Sequence, residues 1–96
     1  MKVKTICDFL EKIAPLSLQE SYDNSGLIVG NYDNVTTSIL VCLDCTEEVI
    51  EEAIRKKCNL IISHHPVIFN GIKKLNGNNY TERIVIKAIQ NHLNLY

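Results

Sequence analysis

The chain has no tryptophan, only 2 prolines and 4 glycines, and no excess of either charge: 10 Lys+Arg stand against 11 Asp+Glu, for a net charge of -1. The missing positive balance excludes general nucleic-acid binding, which needs a concentrated basic surface. No apolar run is long enough to span a bilayer. Asp8, Glu11 and Lys12 interrupt any signal-peptide core behind Lys2 and Lys4. Neither nucleic acid nor membrane is therefore an expected partner, and a cytoplasmic or comparable reducing location is expected. Internal repeats, low-complexity tracts and Pro/Ser-rich linkers are also missing, so residues 1-96 read as a single α/β domain. The hydrophobic share of 46% and charged share of 22% sit near globular averages and exclude disorder.

What is present reads as alternating helices and strands. Val3, Ile6, Cys7, Leu10, Ile13 and Ala14 recur at helical spacing until Pro15 stops them. A turn-rich patch, Glu20 to Gly26, leads into a short strand, Leu27–Gly30. The run Ser38–Leu43 is nearly all apolar and suits a strand buried on both faces. Thr46 can cap the next helix, with Glu47 and Glu48 in its first turn and Arg55, Lys56 and Lys57 at its end. Glu51/Arg55 and Glu52/Lys56 are spaced as i, i+4 pairs. Asn59–Ser63 reads as a second buried strand, which makes a parallel βαβ unit with the first. A helix over Thr81–Asn91 and the start of a third strand, Leu93–Tyr96, complete a layered sheet with flanking helices.

The pair His64-His65 carries the strongest chemical signal. Imidazole is a common metal ligand, and the pair stands beyond the carboxyl end of a parallel strand, where open α/β sheets gather ligands. In extended backbone, adjacent side chains point in opposite directions, so the two suit different ions of a pair better than one ion. The plain alternative is a capped strand end, with one imidazole bonded to backbone and the other solvated. Asp44 ends the preceding strand on the same sheet edge. Its carboxylate could ligate a metal, orient an imidazole or hold a water. Its spacing to Glu47 also resembles a capping box, and on spacing alone capping is favoured. Asp23 is a second carboxylate that could support the histidines, although Asp-Asn before Gly more commonly makes a turn.

The remaining polar signals are weaker. Cys42-Leu-Asp-Cys45 has C-x-x-C spacing, but no second such pair exists. If residues 42–45 continue the strand, the thiols face opposite sides. Together with Cys7 and Cys58 they read as free packing residues. His92 reads as a partner for the dipole of the last helix.

The order Ala14-Pro15-Leu16, Glu20-Ser-Tyr-Asp-Asn-Ser-Gly-Leu-Ile-Val-Gly30, Leu43-Asp-Cys-Thr-Glu-Glu-Val49 and Leu60-Ile-Ile-Ser-His-His-Pro-Val-Ile-Phe69 resembles the Nif-three-like family. Its members are labelled GTP cyclohydrolase I type 2 homologues or dinuclear-metal-centre proteins. Tyr22 and Ser25 depart from the family's usual Trp and small apolar residue. The resemblance implies the N-terminal part of a Nif-three-like fold, a hexameric ring, and His64 and His65 as the first two metal ligands. The family's further ligands, an Asp in a His-Thr-Asn-Leu-Asp stretch and a later His and Glu, would lie beyond Tyr96. Two ions about 3.5–4 Å apart would activate water as the nucleophile of a hydrolase acting on a small molecule. Imidazole with carboxylate suits Zn, Fe, Mn or Ni alike. Without the later ligands the expectation is a chain that holds metal weakly and is inactive alone. The alternative is a non-catalytic metal-binding or regulatory scaffold working through protein contacts.

Overall fold

A computed structural model of the chain describes residues 1–19, 24–68 and 71–96. In chain order the elements are α1 (Val3–Ile13), a 3-10 turn (Leu16–Leu18), β1 (Ile39–Cys42), α2 (Glu47–Arg55), β2 (Leu60–Ser63), α3 (Tyr80–Gln90) and β3 (Asn94–Leu95). Among the described residues one sheet forms, in the order β1-β2-β3, with both pairings parallel. No helix among the described residues is long and apolar enough to cross a membrane.

The helices start where side-chain chemistry provides acceptors for unpaired backbone N–H groups. The Thr46 hydroxyl accepts from Val49 N–H, and the Asn79 side chain accepts from Glu82 N–H. Both helices bury one stripe on the same sheet face: Ile50 and Ala53 from α2, Ile84, Val85 and Ala88 from α3. These meet Ile61, Leu95 and Cys58 in the larger core. Glu52 pairs with Lys56 at 2.9 Å, but Glu51 pairs with Lys87 on α3 instead of the expected Arg55. The two helices lie side by side, and the cross-helix cation competes successfully.

The opposite sheet face packs on α1 through a smaller core of Val3, Cys7 and Leu60, with Ile62, Leu27 and Tyr96 at its margin. That cluster takes in Leu60 and Ile62 of β2 and Tyr96 beyond β3, but no side chain of β1. Val41 is consequently 75% exposed and Ile39 43% exposed, so β1 is a half-covered edge strand and not the doubly buried strand its composition suggests. The expected strand Leu27–Gly30 reduces to one antiparallel bridge, Val29 with Leu95. Gly30, at φ +123°, turns the chain away immediately after it.

The two helix–strand joints repeat one another. Ala53–Leu60 and Ala88–Leu95 end a helix and begin a strand with the same bonding. Lys57 N–H donates to Ile54 O and Cys58 N–H to Ala53 O; likewise His92 N–H donates to Ile89 O and Leu93 N–H to Ala88 O. Lys57 (φ 57°) and His92 (φ 56°) both hold the left-handed conformation that closes a helix C-terminus. The third histidine therefore serves as a backbone turn residue. The match of Ala, Ile, Asn and Leu at equivalent places is too short to register as a repeat in sequence.

Candidate metal-binding site

Parallel register brings the candidate residues together. Cys42 of β1 is aligned with Ser63 of β2, and both strands end there. Asp44 and His65 each stand two residues beyond that aligned pair, so they emerge side by side at the carboxyl edge of the sheet. The ladder continues past the strands: His64 N–H donates to Cys42 O at 3.1 Å and His65 N–H to Leu43 O at 3.0 Å. The Ser63 hydroxyl donates to His65 O at 2.8 Å, and the Asn24 amide donates to Ile68 O at 2.6 Å. Pro66 further restricts the backbone of His65. The histidine backbone is thus held on several sides while the imidazoles remain in solvent.

His65 Nδ1 lies 2.7 Å from Asp44 Oδ1. A carboxylate oxygen accepts, so Nδ1 carries the hydrogen, and in the neutral imidazole Nε2 keeps its lone pair. This is how a carboxylate fixes the tautomer and orientation of a ligating imidazole. The side chains of His65 and Asp44 are 48% and 59% exposed, so the pair is accessible to a ligand from solution. The capping role favoured for Asp44 on spacing is corrected: Thr46 makes the cap bond, and Asp44 turns to the histidine. Equal strand-end offsets were the signal that could have found this pairing in the sequence.

The two imidazoles line different grooves, as alternation suggested. His65 borders an open groove of about 1230 Å³ with Asp44, Thr46, Tyr80 and Lys74. His64 borders a smaller one of about 400 Å³ with Leu10, Ile13, Val41 and Tyr96. They do not diverge fully, because the chain bends after Ser63. The ring centroids are 4.9 Å apart and the planes are inclined by 59°. Two imidazoles with one supporting carboxylate fit part of a divalent-cation donor set, whereas a closed site takes about four donors. Among the described residues no three His, Cys, Asp or Glu side chains converge to complete it. Asp23 lies outside the described residues, as do Glu20 and Tyr22.

The cysteines do not enlarge the donor set. All four are free. Strand β1 stops at Cys42, so Cys42 and Cys45 do not take opposite faces; both pack on the larger core. Burial pushes the Cys45 thiol up to about 12 and the Cys7 thiol up to about 11, the reverse of what thiolate ligation or redox chemistry requires.

A family profile described as Duf34/NIF3 (NGG1p interacting factor 3) matches residues 1–96. The chain belongs to the DUF34/NIF3 family. A Clostridium acetobutylicum relative named GTP cyclohydrolase 1 type 2 homolog is 44% identical over 96 residues, spanning 100% of this chain and 36% of its own length. A Staphylococcus aureus relative of the same name is 46% identical over 95 residues, spanning 99% of this chain and 26% of its own. This DUF34/NIF3 chain thus spans about a quarter to a third of those relatives. The crystal structure of Staphylococcus aureus protein SA1388 superposes with TM-score 0.93 at 46% identity, covering 99% of this chain and 27% of that one. A Bacillus cereus protein related to NIF3 gives TM-score 0.92 at 34% identity, covering 100% of this chain and 26% of that one.

Proposed function

We propose that this chain supplies the His64–His65 part of a divalent-metal site in a cytoplasmic, metal-dependent hydrolase of the GTP cyclohydrolase 1 type 2 homolog group. The observation that carries the proposal is the 2.7 Å contact from Asp44 to His65 Nδ1, which engages that nitrogen and leaves Nε2 as the one to ligate. His64 and His65 would hold the cation or cations, and Asp44 would orient His65. A bound divalent cation would supply Lewis-acid activation of water for hydrolysis. The groove beside His65 is large enough for a small-molecule substrate. Further ligands come from outside these residues in this reading, and the same reading carries self-association of the whole protein into a hexamer.

The donor count sets the expectation for the chain alone: weak retention of metal and no hydrolytic turnover. Titration of the purified chain with Co2+, read by its visible spectrum, should give weak binding that disappears when both histidines become alanine. Asp44→Ala should weaken it by roughly tenfold or more. Undiminished binding in the double histidine variant would refute the site, and two tightly held ions per chain would refute the incomplete donor set. A second reading, a scaffold acting through protein contacts, draws support from the exposed apolar side chains of Phe9, Ile13, Val41 and Leu43.

A further inference from the structure

The end of the sheet opposite the histidines has a groove that the metal reading does not use. It is an open trough of about 1010 Å³ lined by Val85 and Ile89 of α3 and by Asn59 and Leu93, which precede β2 and β3. Its apolar lining includes Ile72, Leu75, Val85, Ile89 and Val35. Three of these stay substantially in water: Val35 is 64% exposed, Ile89 54% and Leu75 48%. Lys73, Lys74 and His92 line the trough, and among the described residues no Asp or Glu does, in a chain whose net charge is -1.

We propose that this trough binds a small organic anion with an apolar body, an acyl carboxylate or aryl sulfonate in chemical class, independently of metal at the histidines. The volume lies at the upper end of the range for small-molecule pockets, and a mostly apolar lining with a few polar groups at one margin is their usual composition. The apolar body would cover the exposed side chains of Ile89, Leu75 and Val35. The anion would lie toward Lys73 and Lys74, which share the neighbouring groove with Asp44 and Glu82 but meet no carboxylate lining the trough itself. A neutral apolar ligand would leave the two ammonium groups without a role, and an inorganic anion would leave the apolar lining in water. Ile68, Ile72, Lys73 and Lys74 also border the groove of His65, so the two grooves share one wall.

The test uses the fluorescent probe 8-anilinonaphthalene-1-sulfonate with the purified chain, and N-phenyl-1-naphthylamine as its uncharged counterpart. The sulfonate should bind saturably at one site per chain and more tightly than the uncharged probe, and its affinity should fall as salt rises. Reversing both charges with Lys73→Glu and Lys74→Glu should weaken the sulfonate roughly tenfold and leave the uncharged probe unchanged. Ile89→Asp should remove binding of both. Val41→Asp, on the exposed edge strand away from the trough, should remove neither, with far-ultraviolet circular dichroism verifying that each variant is folded. Non-saturable binding, equal affinity in the charge-reversed variant, or equal loss in Val41→Asp would overturn the proposal. So would a probe affinity that falls with protein concentration because the trough is covered by a second copy.

Discussion

The two ends of the parallel sheet treat polar side chains in opposite ways. At the amino end, Asn94 is fully buried, and its amide has partners on every side. Its Oδ1 accepts from Asn31 N–H at 2.9 Å and from Asn34 Nδ2 at 3.0 Å, while its Nδ2 donates to Asn59 O at 2.9 Å. Asn59, its counterpart in the preceding helix–strand joint, donates to Val35 O and accepts from Thr37 N–H. At the carboxyl end, His64, His65 and Asp44 stand in solvent with a single side-chain bond among them. A polar group withdrawn from water must find all its partners in the protein, and doing so fixes the local backbone. A polar group left in water keeps bonding capacity for a ligand. The asparagines hold the sheet together, and the histidines are held by the sheet.

If that contrast is right, the largest stability loss should come at the amino end, from Gly30→Ala. A Cβ there would lie 2.2 Å from Asn94 Oδ1 and 3.0 Å from Asn94 Cα, at a backbone φ of +123° that side-chain-bearing residues rarely adopt. Steric overlap and backbone strain together should cost at least about 3 kcal/mol, measured as a drop in the urea midpoint. Asn94→Ala comes next. It leaves Asn31 N–H and the Asn34 amide without their acceptor, and should cost about 2 kcal/mol. If Asn94→Ala proved as stable as wild type, the amino end would not be what anchors the sheet.

A third measurement tests how sharply the exposed site is separated from the core beneath it. Cys45 directly follows Asp44, yet is 8% exposed. Burial raises its thiol from the ordinary 9.0 to about 12, and desolvation likewise raises Tyr96 from 10.0 to about 12. Between about pH 9 and about pH 12 the unfolded chain has released these protons while the folded chain retains them. Unfolding then releases protons, and stability falls as pH rises through that window. The urea midpoint should decline with pH above about 9, and Cys45→Ala should flatten the decline. A midpoint equally steep in that variant would show that the thiol is not sealed from water.

The helices and strands were legible because their signals are local. Thr46 with Glu47 and Glu48 marked the start of α2, and the apolar runs at Ser38–Leu43 and Asn59–Ser63 marked two parallel strands. The histidine pair at a strand end was equally plain. What the sequence did not disclose depends on long-range geometry. That α1 covers only part of the sheet, leaving Val41 in water, follows from packing and not from composition. That Asp44 serves His65 and not its own helix follows from the alignment of Cys42 with Ser63. Asn94 falls within the expected strand Leu93–Tyr96, but the burial of its amide is explained only by the spatial neighbours Asn31, Asn34 and Asn59.

The smallest expected change in stability belongs to Asp44→Asn, and its interest lies in being small. The Asp44–His65 pair is exposed, and exposed pairs of this kind contribute little, so the urea midpoint should move by less than about 0.5 kcal/mol. The histidine backbone should stay in place, because the ladder bonds to Cys42 O and Leu43 O and the Ser63 hydroxyl bond do not involve the carboxylate. The asparagine amide can present either an acceptor or a donor to Nδ1, so the imidazole loses its preference for presenting Nε2 as a lone pair. Nuclear magnetic resonance of the ring nitrogens should therefore show His65 shifting from mainly Nε2-acceptor to a mixture, with His64 unchanged. An unchanged tautomer would mean that Asp44 is merely adjacent to His65. A large loss of stability would mean that the carboxyl end of the sheet, like the amino end, is part of what holds the fold together.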